Sequence, residues 1–147
     1  MKVVIIDSDP FIVSLLVEIF HRRGYEVVTY SDPTAYPLYS LNSCQCQMVG
    51  ACPDIIITDF DMPNVNGVTF FETLRKNGCN SVTIALMSAH LIPREALERA
   101  SKLEVKFFAK PFHRSQLENW LDRIEPRLLQ ESQSKAMPSD PVQAQLA

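Results

Sequence analysis

Four side chains that could do chemistry together follow apolar runs of the chain. Asp7 comes after the run at 3–6, Asp59 ends the run that begins at Asp54, and Ser88 and Lys110 follow two later runs. In an open sheet of parallel strands, binding sites form beyond the carboxyl ends of the strands. If these runs are parallel strands, two carboxylates, a hydroxyl and an ammonium meet at one edge of the sheet.

These four groups suit the transfer of a phosphoryl group onto an aspartate. Asp59 would act as the nucleophile. Asp7 beside it can help to hold a Mg²⁺ ion that offsets charge on the phosphate oxygens. The Lys110 ammonium and the Ser88 hydroxyl can bind the remaining oxygens. Each side chain thus has a distinct role in one reaction.

The segments that must position these residues alternate between strand and helix patterns. Apolar runs rich in β-branched residues predict buried strands at 3–6, 27–30, 54–59, 82–87 and 105–109. Apolar stripes with helical spacing predict helices from Pro10 to just before Gly24, at 68–76, at 93–103, and around Leu117, Trp120, Leu121 and Ile124. Pro37 interrupts the second helical segment, which we expect to be short or broken. Ser115 and Glu118 have the spacing of a capping box for the last helix.

This alternation predicts an α/β fold. We expect a doubly wound, five-stranded parallel sheet with the flavodoxin-like strand order 2-1-3-4-5 and helices on both faces. The length of 147 residues fits one such domain. We assign residues 1–126 to it, and residues 127–147, which are more polar, to a helix extension and a mobile tail.

Composition argues against several classes of protein. Hydrophobic residues make up 46% and charged residues 21%, as in an ordinary soluble globule. The net charge of −3 does not favour nucleic acid or an anionic membrane as a partner. No apolar run is long enough to span a bilayer or resembles a secretory leader, so we expect a cytoplasmic protein.

The four cysteines, at Cys44, Cys46, Cys52 and Cys79, do not have the spacing of a zinc site. One residue separates the first two, whereas structural zinc sites usually leave two to four. Without an export signal we expect reduced thiols. We therefore expect the stretch 40–52 to be irregular, exposed and free of metal. A metal-sensing module built on the cysteines, or a small flavodoxin-like enzyme, is a less favoured alternative.

Four short motifs resemble those of response-regulator receiver domains of the chemotaxis-type, stand-alone kind. They are Ile6-Asp7, the stretch 54–63 with Gly67, Met87-Ser88-Ala89, and Lys110-Pro111-Phe112. The resemblance covers about residues 2–125. It implies that Asp59 is the phosphoacceptor, Lys110 the phosphate-binding ammonium, and Ser88 and Phe107 the switch residues. It also implies Mg²⁺ bound by Asp7, Asp59 and the backbone carbonyl of Asp61, and a cis bond before Pro111.

One position departs from the receiver pattern. Receivers usually carry two adjacent acids after the first strand, whereas this chain has Asp7-Ser8-Asp9. A hydroxyl is a weaker ligand for Mg²⁺ than a carboxylate, so we expect reduced metal affinity, with Asp9 as a candidate replacement ligand. The same departure supports an alternative, a degenerate receiver that binds partners without being phosphorylated.

The resemblance also implies partners and a mode of action. The expected partners are a sensor His kinase or a His phosphotransfer protein, together with a downstream protein that the sequence does not identify. Phe107, at the switch position, lies on the same side as the fourth helix, fifth strand and fifth helix, the expected contact surface and a candidate homodimer face. We expect a signalling switch rather than an enzyme, with no nucleic acid or membrane among its ligands.

Overall fold

The computed structural model describes residues 1–40, 52–80 and 82–136. Five parallel strands form one sheet: β1 (Lys2–Ile6), β2 (Glu26–Tyr30), β3 (Ile55–Asp59), β4 (Thr83–Ser88) and β5 (Lys106–Ala109). Their order is β2-β1-β3-β4-β5. The predicted fold class and strand order are confirmed, and the strand bounds differ from the predicted ones by a residue or so.

The helices lie on both faces of this sheet. They are α1 (Pro10–Arg22), α2 (Pro37–Ser40), α3 (Gly67–Lys76), α4 (Arg94–Ser101) and α5 (Arg114–Ala136), with a 3₁₀ turn at Pro33–Ala35. Alternate residues of β1 point to opposite faces, so Val3 and Ile5 pack with α1 and α5, whereas Val4 and Ile6 pack with α3 and α4. Two apolar cores therefore hold the sheet rigid between the helix layers.

Pro37 begins a helix after a break in the predicted helical segment. It is the first residue of α2, where a missing N–H is harmless and the fixed φ suits the first turn. Tyr36 is extended between the 3₁₀ turn and α2, so the helical segment is broken just before Pro37, as predicted. Most of the stretch 40–52, predicted to be irregular, exposed and metal-free, lies outside the described residues, including Cys44 and Cys46. Its two described ends differ from the prediction, because Ser40 belongs to α2 and Cys52 is half-buried.

The last helix is longer than its apolar stripe indicated. α5 continues past Pro126 to Ala136, and Leu128 is only 1% exposed because it packs into the core shared with α1. The capping box at Ser115 was also misplaced: the Gln116 side chain accepts the His113 N–H at 2.8 Å, one residue before the helix starts. Within the described residues, no helix is long and apolar enough to cross a membrane.

Candidate functional site

The predicted site residues lie at one edge of the sheet because the parallel strands end there. Asp59 and Ser88 are the last residues of β3 and β4, and Asp7 and Lys110 follow β1 and β5 directly. Backbone hydrogen bonds continue past the strands and fix the loops in register. The Phe60 N–H donates to Met87 O at 2.7 Å, and the Lys110 N–H donates to Ser88 O at 2.8 Å. The Lys110–Pro111 bond is cis, as the resemblance implied.

Lys110 lies between the two buried acids. Its Nζ is 2.7 Å from Asp7 Oδ2 and 3.4 Å from Asp59 Oδ2. The side chains of Asp7, Asp59 and Lys110 are 1%, 12% and 11% exposed. Like charges brought this close repel strongly where water is excluded. The ammonium is therefore the group that allows two carboxylates to be buried side by side.

Burial sets the proton affinities in this cluster. Burial raises the pKa of Asp59 above its ordinary value, and while the charge of Lys110 opposes the rise, that of Asp7 adds to it. For Lys110, burial lowers the pKa, but the hydrogen bond and charge of Asp7, helped by Asp59, outweigh burial and raise it overall. The lysine therefore stays protonated, and the Asp59 carboxylate is more basic than an exposed aspartate.

One carboxylate oxygen of Asp59 lacks a hydrogen-bond partner among the described residues. Asp59 Oδ1 is buried and has no hydrogen-bond partner within the described part of the chain. A buried, unsatisfied carboxylate oxygen is costly, and a bound cation is one way to satisfy it. This oxygen fits the Mg²⁺ site that the sequence predicted.

The other predicted ligands contribute less carboxylate charge. Asp9 Oδ1 accepts the Phe11 N–H at 2.9 Å and so caps α1, while the Asp9 N–H donates to Asp7 Oδ1. Ser8 and Asp61 are both exposed. No group of three acids, histidines or cysteines suited to a metal occurs among residues 1–40, 52–80 and 82–136. The donor set thus fits a cation through Asp59 and Asp7, with low ligand charge.

Gly67 packs closely against the backbone at the end of β3. A Cβ atom at this position would lie 2.8 Å from Asp59 O and would also clash with Leu86 Cδ1. The Gly67 N–H also donates to Phe60 O at 3.0 Å. Only a residue without a side chain lets α3 begin this close to the end of β3.

The two predicted switch residues are placed differently from the acids. The Ser88 hydroxyl donates to His90 O at 2.6 Å and accepts the His90 N–H, so a local turn holds it. Phe107 is 39% exposed, which rules out a fixed core position for this ring. It lines an apolar groove of about 270 Å³ with Leu91, Ile92 and Leu97. The sequence analysis missed His90 and Leu91; the signal was the apolar pair Leu91-Ile92 between a strand end and Pro93.

The family model described as the response regulator receiver domain matches residues 3–122. The chain belongs to this family. Receiver domains are the signalling switches of two-component systems, act with histidine kinases and phosphotransfer proteins, and generally bind Mg²⁺ at an acidic pocket. The expected family is therefore confirmed, whereas the roles of individual site residues in this receiver stay predictions.

Several curated proteins resemble this receiver. Chemotaxis protein CheY of Thermotoga maritima is 24% identical over 125 residues, which is 84% of this chain and 96% of that protein. Hybrid signal transduction histidine kinase C of Dictyostelium discoideum is 27% identical over 134 residues, 84% of this chain but 10% of the kinase. The regulatory protein SphR of Synechococcus elongatus is 25% identical, and the match covers 76% of this chain and 43% of that protein. The chain thus spans less than half of the last two.

Solved structures agree on the fold. Chemotaxis protein CheY4 of Vibrio cholerae matches with a TM-score of 0.66 and 24% identity, covering 84% of this chain and 97% of the other. The signal receiver domain of an HD domain-containing protein from Pseudomonas fluorescens matches with a TM-score of 0.70 and 17% identity, covering 88% and 97%. These likenesses show a shared receiver fold.

Proposed function

We propose that Asp59 accepts a phosphoryl group from a sensor His kinase or a His phosphotransfer protein, and that the phosphorylated receiver acts through protein contacts. The observation that carries the proposal is the placement of the Lys110 ammonium within 3.4 Å of Asp59 Oδ2, beside an Asp59 oxygen with no partner among the described residues. A carboxylate next to a fixed cation is suited to receive an anionic phosphoryl group.

The residues of the chain divide the work of this transfer. An Asp59 oxygen attacks phosphorus, and the bond from phosphorus to the donor histidine nitrogen breaks. Lys110 binds a phosphoryl oxygen as its hold on Asp7 loosens. The Ser88 hydroxyl reaches the phosphoryl group after giving up the His90 carbonyl. Asp59, Asp7 and the Asp61 carbonyl would hold Mg²⁺, which would offset negative charge on the phosphoryl oxygens.

The proposed output surface is the face formed by α4, β5 and α5. Its apolar groove lies beside Ser88, so that a movement of the hydroxyl can reach the groove directly. Leu91 is fully exposed, and Leu97 and Phe107 are partly exposed. Exposed apolar side chains in one patch favour a protein partner, either a downstream protein or a second copy of the chain.

A degenerate receiver is the second candidate function, and the neighbourhood of Ser8 favours it. Ser8 stands where receivers usually have a carboxylate, and Asp9 already caps α1. The site then keeps Lys110 paired with Asp7 and binds its partners without phosphate.

Labelling with a small acyl phosphate in the presence of Mg²⁺ tests the two candidates. The proposal expects one acid-stable, base-labile phosphoryl group on the wild-type chain and none on Asp59→Asn. Asp54→Asn is the matched control, because Asp54 lies at the other end of β3 and binds the Lys2 N–H. Asp54→Asn should label like wild type. Lys110→Ala should still be labelled, but labelling should no longer change the output surface.

Restoring the missing carboxylate tests the role of Ser8. We expect Ser8→Asp to tighten Mg²⁺ binding on the order of tenfold and to speed labelling, because it adds a charged ligand. Mg²⁺ titration followed by Trp120 fluorescence or calorimetry measures the affinity. At saturating Mg²⁺ the difference in labelling should vanish. If neither protein is labelled there, the degenerate receiver replaces the phosphorylation proposal.

Two further proposals concern the domain bounds and the cellular location. We propose that residues 1–126 make up the receiver and that residues 127–147 extend it beyond the site. We also propose that the protein works in the cytoplasm, as phosphoryl transfer from a sensor kinase requires.

A further inference from the structure

Two cysteines approach each other at the edge of the sheet opposite Asp59. Cys52 precedes β3, and Cys79 follows α3 just before β4. They are 27 positions apart in the chain, yet their Sγ atoms are 4.0 Å apart. This separation is too long for a disulfide bond between them. Nothing in the proposed phosphoryl chemistry uses either of them.

The surroundings give the two thiols different roles. Cys79 is 1% exposed, and its backbone is fixed on both sides: its N–H donates to Leu74 O at 2.9 Å, and Arg75 Nη1 donates to its carbonyl at 2.6 Å. Cys52 is half-buried. A small reagent can therefore reach Cys52 first, whereas Cys79 is held in place to react with a modified Cys52.

We propose that Cys52 and Cys79 form a redox-active pair that a low-molecular-weight disulfide, such as glutathione disulfide, converts to an intramolecular disulfide. The Cys52 thiolate attacks one sulfur of the reagent, whose S–S bond breaks and releases one thiol. The Cys79 thiolate then attacks the Cys52 sulfur of the mixed disulfide and releases the second thiol. The two cysteines lose two electrons and two protons, and the reagent gains them.

The required movement is small. The sulfur atoms of a disulfide are about 2.05 Å apart, so the Sγ atoms must approach by about 2 Å. Rotation of the Cys52 side chain with a small shift of its own backbone can supply this, while Cys79 stays fixed. The bond would close a loop that contains β3 and α3. Closing a loop of this length should raise Tm on the order of 10 °C.

The test uses the full chain with Cys44→Ser and Cys46→Ser, which leaves Cys52 and Cys79 as its cysteines. This variant is needed because no Lys or Arg lies between 24 and 74, so one tryptic peptide carries Cys44, Cys46 and Cys52. After glutathione disulfide we expect one disulfide joining peptides 24–75 and 77–94, loss of both alkylatable thiols, and the rise in Tm. Dithiothreitol should reverse all three.

Three outcomes would overturn the proposal. One is a stable glutathione adduct on Cys52 that Cys79 never resolves. Another is a wild-type disulfide that joins Cys52 to Cys44 or Cys46 in preference to Cys79. The third is stoichiometric zinc whose removal must precede oxidation, which would assign the cysteines to a metal site.

Cys52→Ser in the same background supplies a second readout. It should abolish the shift in Tm and leave Cys79 unreactive until the protein is unfolded; rapid alkylation of Cys79 in the folded variant would contradict its assigned role. If Cys52→Ser fails to fold, the peptide map of the parent variant still decides. Asp59→Asn should oxidise like wild type, so failure of the phosphorylation proposal and failure of this one can be told apart.

Discussion

Replacing Lys110 with methionine tests whether its ammonium is what stabilises two buried carboxylates. At an effective dielectric constant of about 20, unit charges at the observed 2.7 Å and 3.4 Å attract by about 6 and about 5 kcal/mol. Desolvation of the three groups offsets much of this attraction. Breaking a buried pair by removing one partner costs about 3–5 kcal/mol. We expect Lys110→Met to lower the free energy of unfolding by that amount at neutral pH, measured by urea denaturation.

The dependence on pH identifies the cause of the loss. In wild type the pKa of Lys110 is raised above its ordinary value of 10.5. Its contribution is therefore complete below that pH and is lost as the pH rises through the folded pKa. In Lys110→Met the two acids repel each other only while both are ionised. The deficit should shrink as the pH falls and the acids take up protons.

Lys106, the first residue of β5, provides the matched control. Its Nζ lies 5.4 Å from the centre of the Phe108 ring, and it forms no ion pair within the described part of the chain. Lys106 is half-buried and Phe108 is buried, and a cation–π contact contributes about 0.5–1 kcal/mol at exposed sites and about 2 kcal/mol when desolvated, so Lys106→Met should cost no more than about 2 kcal/mol. Adding Asp59→Asn to Lys110→Met should recover part of the loss, because it removes the repulsion between the two acids and leaves Asp7 as the single buried carboxylate without its cation. Equal costs at Lys106 and Lys110, or no recovery in the double variant, would refute the reasoning.

Two further substitutions probe the neighbourhood of Asp59. Asp59→Asn should raise the free energy of unfolding at neutral pH, because burial raises the pKa of Asp59 and so disfavours its ionised side chain in the folded protein. Wild-type stability falls as the pH rises from 3.8 through the folded pKa, so the gain should vanish in acid; a destabilised variant at neutral pH would contradict this. Gly67→Ala should cost about 1–3 kcal/mol through overpacking against Leu86 and Asp59 O, seen as a lower Tm. Asn66→Ala, which removes only the α3 cap on Thr69 N, should cost about 1 kcal/mol, and an unchanged Tm for Gly67→Ala would contradict the close approach.

The strands and their ends could be predicted from the sequence because local composition determines them. Runs such as 3–6 and 55–57 are continuous, β-branched and too short for helices, so parallel buried strands were the natural interpretation. Once the strands are parallel, their carboxyl ends share an edge, and Asp7, Asp59 and Lys110 must meet there. This part of the site follows from topology.

What the sequence did not predict depends on competition between neighbouring groups. How far α5 extends past Pro126 depends on tertiary packing, such as the burial of Leu128. Likewise, the spacing of Ser88 and His90 does not reveal that the hydroxyl binds the His90 carbonyl. The length of a helix and the hydrogen-bond partner of a side chain depend on which groups the folded chain brings within contact distance, and spacing in the sequence does not give that information.

A carboxylate at position 9 does not replace one at position 8, because Asp9 already has a structural role. Asp9 Oδ1 accepts the Phe11 N–H at 2.9 Å, a cap worth about 1 kcal/mol to α1. Turning this carboxylate toward a cation would sacrifice the cap, so Asp9 replaces the missing ligand only at that cost. Without it, Lys110 leaves one uncompensated negative charge on Asp7 and Asp59 together. An acid in place of Ser8 would raise this net negative charge from one to two. Metal affinity in this receiver should therefore depend on the residue at position 8 more than on Asp9.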